Sequence, residues 1–299
     1  MRAVWSFWTK PFKAYYRSAW MSESHHLLAW VLSLETAKKH YPETSLFTDD
    51  EGARLLIDGI GLEFDHVSTE LNVLDGNEPE WWALGKLYTY RAQTEPFVHI
   101  DNDVFLWKPL PKRMESAPVF AQNPEYFDTD WGYRPEEFRA FVKSVSGGWI
   151  PKEFEWYTSG VEVQRGECCG IFGGNHIHFI QYYADVAMEL VEYPINQAAW
   201  PHLGRTVSRN HLVEQYLLAA CIDYHKHRQN SPYRGINIQY LFNSSDDAFN
   251  PDQAKEVGYT HLLGTSKRNR VIAERLENRV MSDYPEYYER CLSKRAKLN

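Results

Sequence analysis

The first hundred residues alternate short apolar segments with longer segments of helical periodicity, and this alternation constrains the fold most. The strand-like segments are residues 3–7, 44–48, 62–67 and 97–100. Between them, apolar side chains recur at helical spacing over 24–41, over about 53–60 and over about 79–93. Strands that alternate with helices of this length predict an α/β fold whose mainly parallel sheet is covered by helices on both faces.

The rest of the chain is less regular. Residues 120–160 are rich in Pro, Gly, Trp and acidic side chains, which predicts long surface loops. Residues 170–174 form an apolar segment with three glycines, which predicts turns. Helices are expected over about 178–191 and 210–225 and from residue 269 onward. No repeat or break in composition divides the 299 residues, which favours a single domain.

Composition argues against several classes of protein. The net charge is −8, whereas non-specific binding to nucleic acid needs a basic surface. No run of 18 apolar residues predicts a transmembrane helix, and the first residues lack the apolar core of a signal peptide, so a cytoplasmic location is expected. Four cysteines without a C-x-x-C pair predict neither a disulfide framework nor a zinc knuckle.

Two carboxylates separated by one residue, Asp101 and Asp103, follow the apolar run 97–100. Because ligands of parallel sheets bind beyond the carboxyl ends of the strands, this position favours a metal site. Chance alone supplies about 0.7 such triplets in a chain of this composition, and Asp128-Thr129-Asp130 is a second one. That triplet has no strand before it, so the context favours Asp101 and Asp103. The alternative is a turn in which both side chains cap backbone amides.

A rarer pattern, His-x-x-Gly-x-x-Lys, places His261, Gly264 and Lys267 at three-residue intervals, and chance predicts about 0.03 occurrences. Two carboxylates and an imidazole suit Mn²⁺ or a similar divalent ion. Gly264 allows close backbone approach, while Lys267 and the neighbouring Arg268 offer positive charge to phosphate. The alternative is a structural histidine and a solvated lysine. Together, the two patterns predict a site for a metal-bound diphosphate.

An apolar strand with Asp-x-Asp, followed late in the chain by His-x-x-Gly-x-x-Lys, resembles the GT-A fold glycosyltransferases. The resemblance is to glycosyltransferase family 8 and related Asp-x-Asp sugar transferases, as a distant branch. It implies a Rossmann-type central sheet, mixed and mainly parallel, flanked by helices. It also implies Mn²⁺ or Mg²⁺ as cofactor. The implied metal ligands are Asp101, Asp103 and His261, and Lys267 is the implied contact to the diphosphate. Four further residues are expected around the sugar nucleotide from their positions in this sequence: Gly264 and Arg268 beside that lysine, and Thr48 and Asp49 at the end of a neighbouring strand.

The activity implied by this resemblance is transfer of a hexose from a nucleotide-diphosphate sugar, with UDP-hexose expected as donor and retention expected at the anomeric carbon. Residues 1–115 would bind the nucleotide sugar and residues 116–299 the acceptor. Glu214 and Gln215 are candidate catalytic residues because their helix often faces the reacting sugar in the family. Lys86 matches a basic residue near the donor. The acceptor stays open among glycans, lipid-linked sugars, proteins and small molecules.

Two other functions fit the same residues. One is a carbohydrate- or nucleotide-binding module that has lost turnover, against which the intact metal ligands argue. The other is a metal-dependent phosphohydrolase or nucleotidyltransferase. These enzymes usually need further carboxylates or histidines around a second metal, and the sequence shows no such cluster.

Overall fold

The computed structural model describes residues 1–126, 133–203 and 208–295. In these residues the strands are β1 (Arg2–Phe7), β2 (Thr44–Thr48), β3 (His66–Ser68), β4 (Phe97–Ile100), β5 (Val104–Leu106), β6 (Val119–Tyr126), β7 (Arg165–Gly174), β8 (Ile238–Tyr240) and β9 (Tyr259–His261). Seven of them belong to a mixed, mainly parallel sheet, and β5 and β9 form a second, two-stranded sheet. Helices flank these strands, so the predicted α/β class is confirmed.

The α-helices are α1 (Thr9–Ala19), α2 (Glu23–Ala37), α3 (Asp50–Ala53), α4 (Ala83–Arg91), α5 (Lys112–Glu115), α6 (Pro135–Ser144), α7 (Lys152–Gly160), α8 (Ile177–Glu192), α9 (Pro194–Ala199), α10 (Arg209–His211), α11 (Leu217–His227), α12 (Ser245–Phe249), α13 (Pro251–Val257), α14 (Arg270–Asp283) and α15 (Pro285–Arg295). Shorter helical turns are π-helical at Arg54–Ile60 and Leu212–Tyr216, and 3₁₀ at Glu70–Gly76, Trp200–His202 and Gly264–Arg268. Each helix of the described residues is too short or too polar to span a membrane.

The chain divides into two compact units, of which the first comprises Met1–Gly85, Phe97–Leu110 and Pro251–Asn299. In this unit β1 runs parallel to both β2 and β4, and β2 runs parallel to β3. The carboxyl ends of β1, β2 and β4 therefore lie at the same edge of the sheet. The segments that follow these strands therefore begin at one edge of the sheet, where ligands of parallel sheets commonly bind.

Helix α2 forms much of the core of the first unit. Its N-cap is Ser22, whose side chain accepts a hydrogen bond from the amide of His25 at 3.3 Å. The helix packs against β5, α14 and α15, and nearly all of its side chains are buried. The sequence predicted this helix over 24–41, and it ends earlier, at Ala37.

The predicted helix over about 53–60 is confirmed, and its π-helical turn ends at Gly61. That glycine has a φ of +82°, and a Cβ atom built on it would lie 2.2 Å from Nη1 of Arg290. The positive φ favours glycine at this position, whereas the Arg290 side chain could move aside from a Cβ atom. The predicted strand over 62–67 is shorter than expected and shifted, at His66–Ser68.

The second unit comprises Lys86–Pro96 and Pro111–Asn250. Strand β6 pairs antiparallel with β7, with a bulge between Ala121 and Asn123, and parallel with β8. Helices α7 and α8 pack with α11, and both α8 and α11 pack on β7. The predicted helix over 178–191 is confirmed, and the one predicted over 210–225 is interrupted by the π-helical turn.

Two expectations for the second unit are wrong. Residues 120–160, predicted as long loops, contain β6 and helices α6 and α7 among their described residues. Residues 170–174, predicted as turns, form the end of β7, which is buried from residue 166 onward. A fully buried strand carries no alternation of polar and apolar side chains, and its glycines resemble turn residues, so periodicity alone does not identify it.

Candidate functional site

The three predicted metal ligands meet in the first unit. One donor atom from each of Asp101, Asp103 and His261 lies within 4.8 Å of the other two. Oδ1 of Asp103 lies 3.3 Å from Nε2 of His261. Asp103 is 4% exposed, whereas Asp101 and His261 are half-buried. Two segments that are some 160 residues apart in sequence are therefore neighbours in the fold.

The two-stranded sheet accounts for this approach. Asp101 and Asp103 lie in the turn between β4 and β5, which is closed by a hydrogen bond from the amide of Val104 to the carbonyl of Asp101 at 3.0 Å. Strand β9 pairs antiparallel with β5, so that Val104 lies opposite His261. The amide of Leu262 then donates to the carbonyl of Asp103 at 3.0 Å. Backbone pairing thus fixes the imidazole beside the carboxylates.

Lys267 also reaches this cluster. Its Nζ makes an ion pair with Oδ2 of Asp103, and it lies 5.3 Å from the centre of the Trp20 ring, which is a cation–π distance. The carbonyl of Lys267 accepts a hydrogen bond from the amide of Met21 at 3.2 Å. The lysine of the second sequence pattern therefore contacts one of the predicted metal ligands directly.

Charge at the cluster favours an ionised carboxylate. Burial by itself would raise the pKa of Asp103, but the attraction of Lys267 and of His261 outweighs it and holds that pKa well below its ordinary value. Nearby, burial and the repulsion of Lys267 lower the pKa of His26 to about 3, so its imidazole stays neutral. Sequence reasoning missed Trp20 and His26, because neither belongs to a motif.

The donor atoms fit a divalent cation. Oδ1 of Asp103 is buried, and 3.3 Å separates it from Nε2 of His261, which is at the long end of hydrogen-bonding distance. A divalent cation bound by both atoms would give each of them a stronger partner. Two carboxylates with one imidazole form a donor set that Mn²⁺ accepts.

Thr48 and Asp49 are held by other parts of the first unit. The Thr48 hydroxyl donates to the carbonyl of Phe7 at 2.7 Å. Asp49 is the N-cap of α3, where Oδ1 accepts from the amide of Gly52 at 2.7 Å. Its Oδ2 accepts from the amide and the hydroxyl of Thr9, at 2.8 and 2.7 Å. These hydrogen bonds give both side chains a structural role. Contact of Thr48 and Asp49 with a sugar nucleotide stays a prediction.

The remaining residues predicted for nucleotide binding lie in the 3₁₀ turn Gly264–Arg268. Gly264 begins this turn with a φ of +51°, and a Cβ atom built on it would meet nothing within 4 Å. Arg268, at the end of the turn, is exposed. The conformation of the turn, not lack of room, is what favours glycine at position 264.

The predicted catalytic residues all lie in the second unit, and two of them, Lys86 and Glu214, are in contact. Nζ of Lys86 lies 2.7 Å from Oε1 of Glu214, which is fully buried, and also donates to the carbonyl of Cys169 at 3.1 Å. The hydroxyl of Tyr90 donates to the same Glu214 oxygen at 3.2 Å. Gln215 is 8% exposed and accepts a hydrogen bond from the hydroxyl of Tyr133 through Oε1. Glu214 and Gln215 belong to the π-helical turn.

A second buried network in this unit was not predicted. Arg165 donates to both carboxylate oxygens of Asp223, at 2.8 and 3.0 Å, and to Oε1 of Glu167 at 3.0 Å. Glu167 is fully buried, and burial raises its pKa to about 7 despite the attraction of Arg165. An Arg-x-Glu pair is common in sequences, so only the tertiary structure identifies it. The triplet Asp128-Thr129-Asp130 lies outside the described residues.

Comparison with protein families gives a match over nearly the whole chain. The model of DUF6734, described as a family of unknown function, matches residues 1–294. A search of the curated proteins finds no match. Every candidate residue named above lies inside the matched range.

Proposed function

The chain belongs to the DUF6734 family, and we propose that it is a metal-dependent glycosyltransferase of the GT-A type. It would move a hexose from a nucleotide-diphosphate sugar, with UDP-hexose as the first candidate donor, to an acceptor. One observation carries the proposal: the Asp-x-Asp segment and the His-x-x-Gly-x-x-Lys segment, which resemble the two motifs of those enzymes, have their donor atoms within 4.8 Å of one another.

Asp101, Asp103 and His261 would hold the metal, and a bound divalent cation would neutralise charge on a leaving diphosphate. Lys267 adds a positive charge beside Asp103 that a phosphate oxygen can bind. The site follows the carboxyl end of β4, where ligands of parallel sheets commonly bind. These features support binding of a metal-bound diphosphate. They do not specify which sugar is transferred or to which acceptor.

Glu214, Gln215 and Lys86 remain the candidates for the catalytic side chains. Glu214 and Gln215 lie in a π-helical turn, and such turns occur frequently at functional sites. The ion pair between Lys86 and Glu214 fixes both charges in a buried position. Retention at the anomeric carbon stays part of the proposal on the family resemblance alone.

Thermal stability against a panel of nucleotides tests the proposal. UDP, GDP, CDP, ADP and TDP would each be added with Mn²⁺ and, separately, with EDTA. A rise in Tm for one nucleotide that requires Mn²⁺ is the expected result, because a ligand that binds only the folded state stabilises it. No rise for any nucleotide would contradict the proposal.

Turnover needs a second assay with the nucleotide identified in this way. Release of UDP from UDP-hexose that depends on an added acceptor supports transfer, and release that is equally fast without acceptor supports hydrolysis. Metal-dependent binding without any release, across an acceptor panel, would instead support a binding module.

A further inference from the structure

At the candidate metal centre, Lys267 already supplies a positive charge to one of the predicted metal ligands. Its ammonium group pairs with Oδ2 of Asp103, while Oδ1 of the same carboxylate faces His261. From this arrangement we infer that Lys267 is an internal counter-ion that competes with the metal for Asp103. We further infer that an anionic ligand removes the competition by taking the lysine. The inference rests on the proposed metal site.

The competition follows from charge and from space. Asp103 is 4% exposed, so water screens its carboxylate poorly, and two cations on one buried carboxylate repel each other strongly. A divalent ion that bound Asp103 beside the paired ammonium group would meet that repulsion. That repulsion favours departure of the Lys267 ammonium group from Asp103 when metal binds, and the loss of that ion pair weakens the affinity for metal alone.

The surroundings of Lys267 allow its side chain to leave without unfolding the turn. The side chain is 21% exposed, so one path from Asp103 leads towards solvent. The backbone is held separately, by the hydrogen bond from the amide of Met21 to the carbonyl of Lys267. Rotation of the side chain alone would turn the ammonium group from the carboxylate to a ligand.

An anion completes the exchange. Once a metal holds Asp103, the released ammonium group lacks a counter-ion, and a phosphate oxygen beside the metal supplies one. Metal and diphosphate should therefore bind cooperatively, each raising the affinity for the other by the same factor. Coupling between sites typically amounts to about 5- to 150-fold in affinity. The free protein would bind either partner alone only weakly.

Mn²⁺ binding without nucleotide tests the competition. Free Mn²⁺ would be measured by electron paramagnetic resonance during titration of the wild-type protein, K267M, K267R and R270M. K267M is expected to bind Mn²⁺ about tenfold more tightly than the wild type, which lies within the usual range of coupling. K267R keeps the charge and should bind Mn²⁺ no more tightly than the wild type. R270M removes a charge from exposed Arg270, which pairs with Glu274 instead, and should change the affinity by less than about twofold.

The affinity of K267M decides the inference. Equal or weaker Mn²⁺ binding than in the wild type would overturn it, while leaving the proposed function in place if the wild type binds Mn²⁺. Failure of both proteins to bind Mn²⁺ would overturn the inference and the proposed function together. The cooperativity is then measured by repeating the titration with UDP, after subtraction of Mn²⁺ bound by UDP in a protein-free control. UDP should tighten Mn²⁺ binding several-fold in the wild type and much less in K267M.

A measurement on the wild-type protein guards against a K267M variant that does not fold. Lysine side chains would be acetylated briefly with a limiting reagent and the modified residues quantified by mass spectrometry. Mn²⁺ should increase acetylation of Lys267, because the ammonium group leaves Asp103, and added UDP should reduce it again. Acetylation of Lys267 that Mn²⁺ leaves unchanged or lowers would contradict the exchange.

Discussion

Lys86 and Glu214 form a buried ion pair in which Nζ and Oε1 lie 2.7 Å apart and the glutamate is fully buried. They are 128 positions apart in the sequence, one in α4 and the other in a π-helical turn. A pair of this kind contributes little net stability relative to apolar residues, but each partner makes the other tolerable in the interior. The contribution of this pair to the free energy of unfolding can be measured separately from any catalytic role by comparing single and double variants.

Breaking this pair from one side should be costly. We expect K86M to lower the free energy of unfolding by about 3–5 kcal/mol, because it leaves the Glu214 carboxylate buried without its counter-charge. The double variant K86M/E214Q should be more stable than K86M, since it removes both charges. Urea denaturation measures both values. The control is E274Q in the exposed pair with Arg270, where a loss below about 0.5 kcal/mol is expected.

A loss below about 1 kcal/mol in K86M would show that the pair does not stabilise the interior. If K86M/E214Q recovered the stability lost in K86M but not the transferase activity, the two charges would be needed for catalysis and not only for folding.

Removal of the carboxylates should abolish metal-dependent binding. In D101N/D103N we expect no rise in Tm from the nucleotide and Mn²⁺ together, whereas the wild type should gain about 2.7 kcal/mol at a ligand concentration 100 times Kd. H261A alone should weaken Mn²⁺ binding more than about tenfold. The matched control is D128N/D130N, which removes the other Asp-x-Asp triplet and should behave like the wild type. Equal effects of the two double variants would refute the assignment.

Asp49 should matter more for stability than for ligand binding. We expect D49A to lower the free energy of unfolding by about 2 kcal/mol, because it removes the N-cap of α3 and two hydrogen bonds from Thr9. D49N keeps an oxygen that can cap the helix and should lose less. Thermal or urea unfolding measures the loss. If D49N were as stable as the wild type but lost Mn²⁺-dependent nucleotide binding, we would assign Asp49 to direct contact with the nucleotide.

Glu167 should make stability fall as the pH rises. Burial raises its pKa from 4.5 to about 7, with Arg165 opposing, so the folded state holds the proton more tightly than the unfolded chain does. Its contribution is complete below pH 4.5 and is lost as the pH rises through about 7. Between pH 5 and 8 the wild type should therefore lose about 2.5 kcal/mol relative to E167Q. Urea unfolding across that range checks this.

Glu155 offers a control of opposite sign. Hydrogen bonding to Arg139 lowers the pKa of Glu155 to about 2, against a smaller effect of burial. Its stabilisation is present above pH 4.5 and is lost as the pH falls through about 2. E155Q should therefore be less stable than the wild type at pH 7, and the difference in free energy of unfolding should narrow in acid.

A difference in stability between E167Q and the wild type that does not change with pH would show that Glu167 does not titrate in this range.

The amino-acid sequence by itself was enough to predict those elements of the first unit whose residues form an apolar run or a helical repeat. Strands β1, β2 and β4 and helix α2 were predicted because apolar runs and helical periodicity are properties of neighbouring residues. It also identified the two motifs whose residues meet at the candidate metal centre. The ends of elements were predicted less well, as at α2, because capping and packing decide where a helix stops.

Only the tertiary structure decided which residues act on one another. Pairing of β5 with β9 brings His261 to Asp103, and no local pattern indicates that register. Likewise, Lys267 pairs with Asp103, and Arg165 contacts Asp223, across long stretches of chain. The buried strand β7 resembled a series of turns because its glycines and its uniform burial remove the alternation that identifies a half-exposed strand. Contacts between distant residues depend on packing of the whole chain, which periodicity within a short window does not contain.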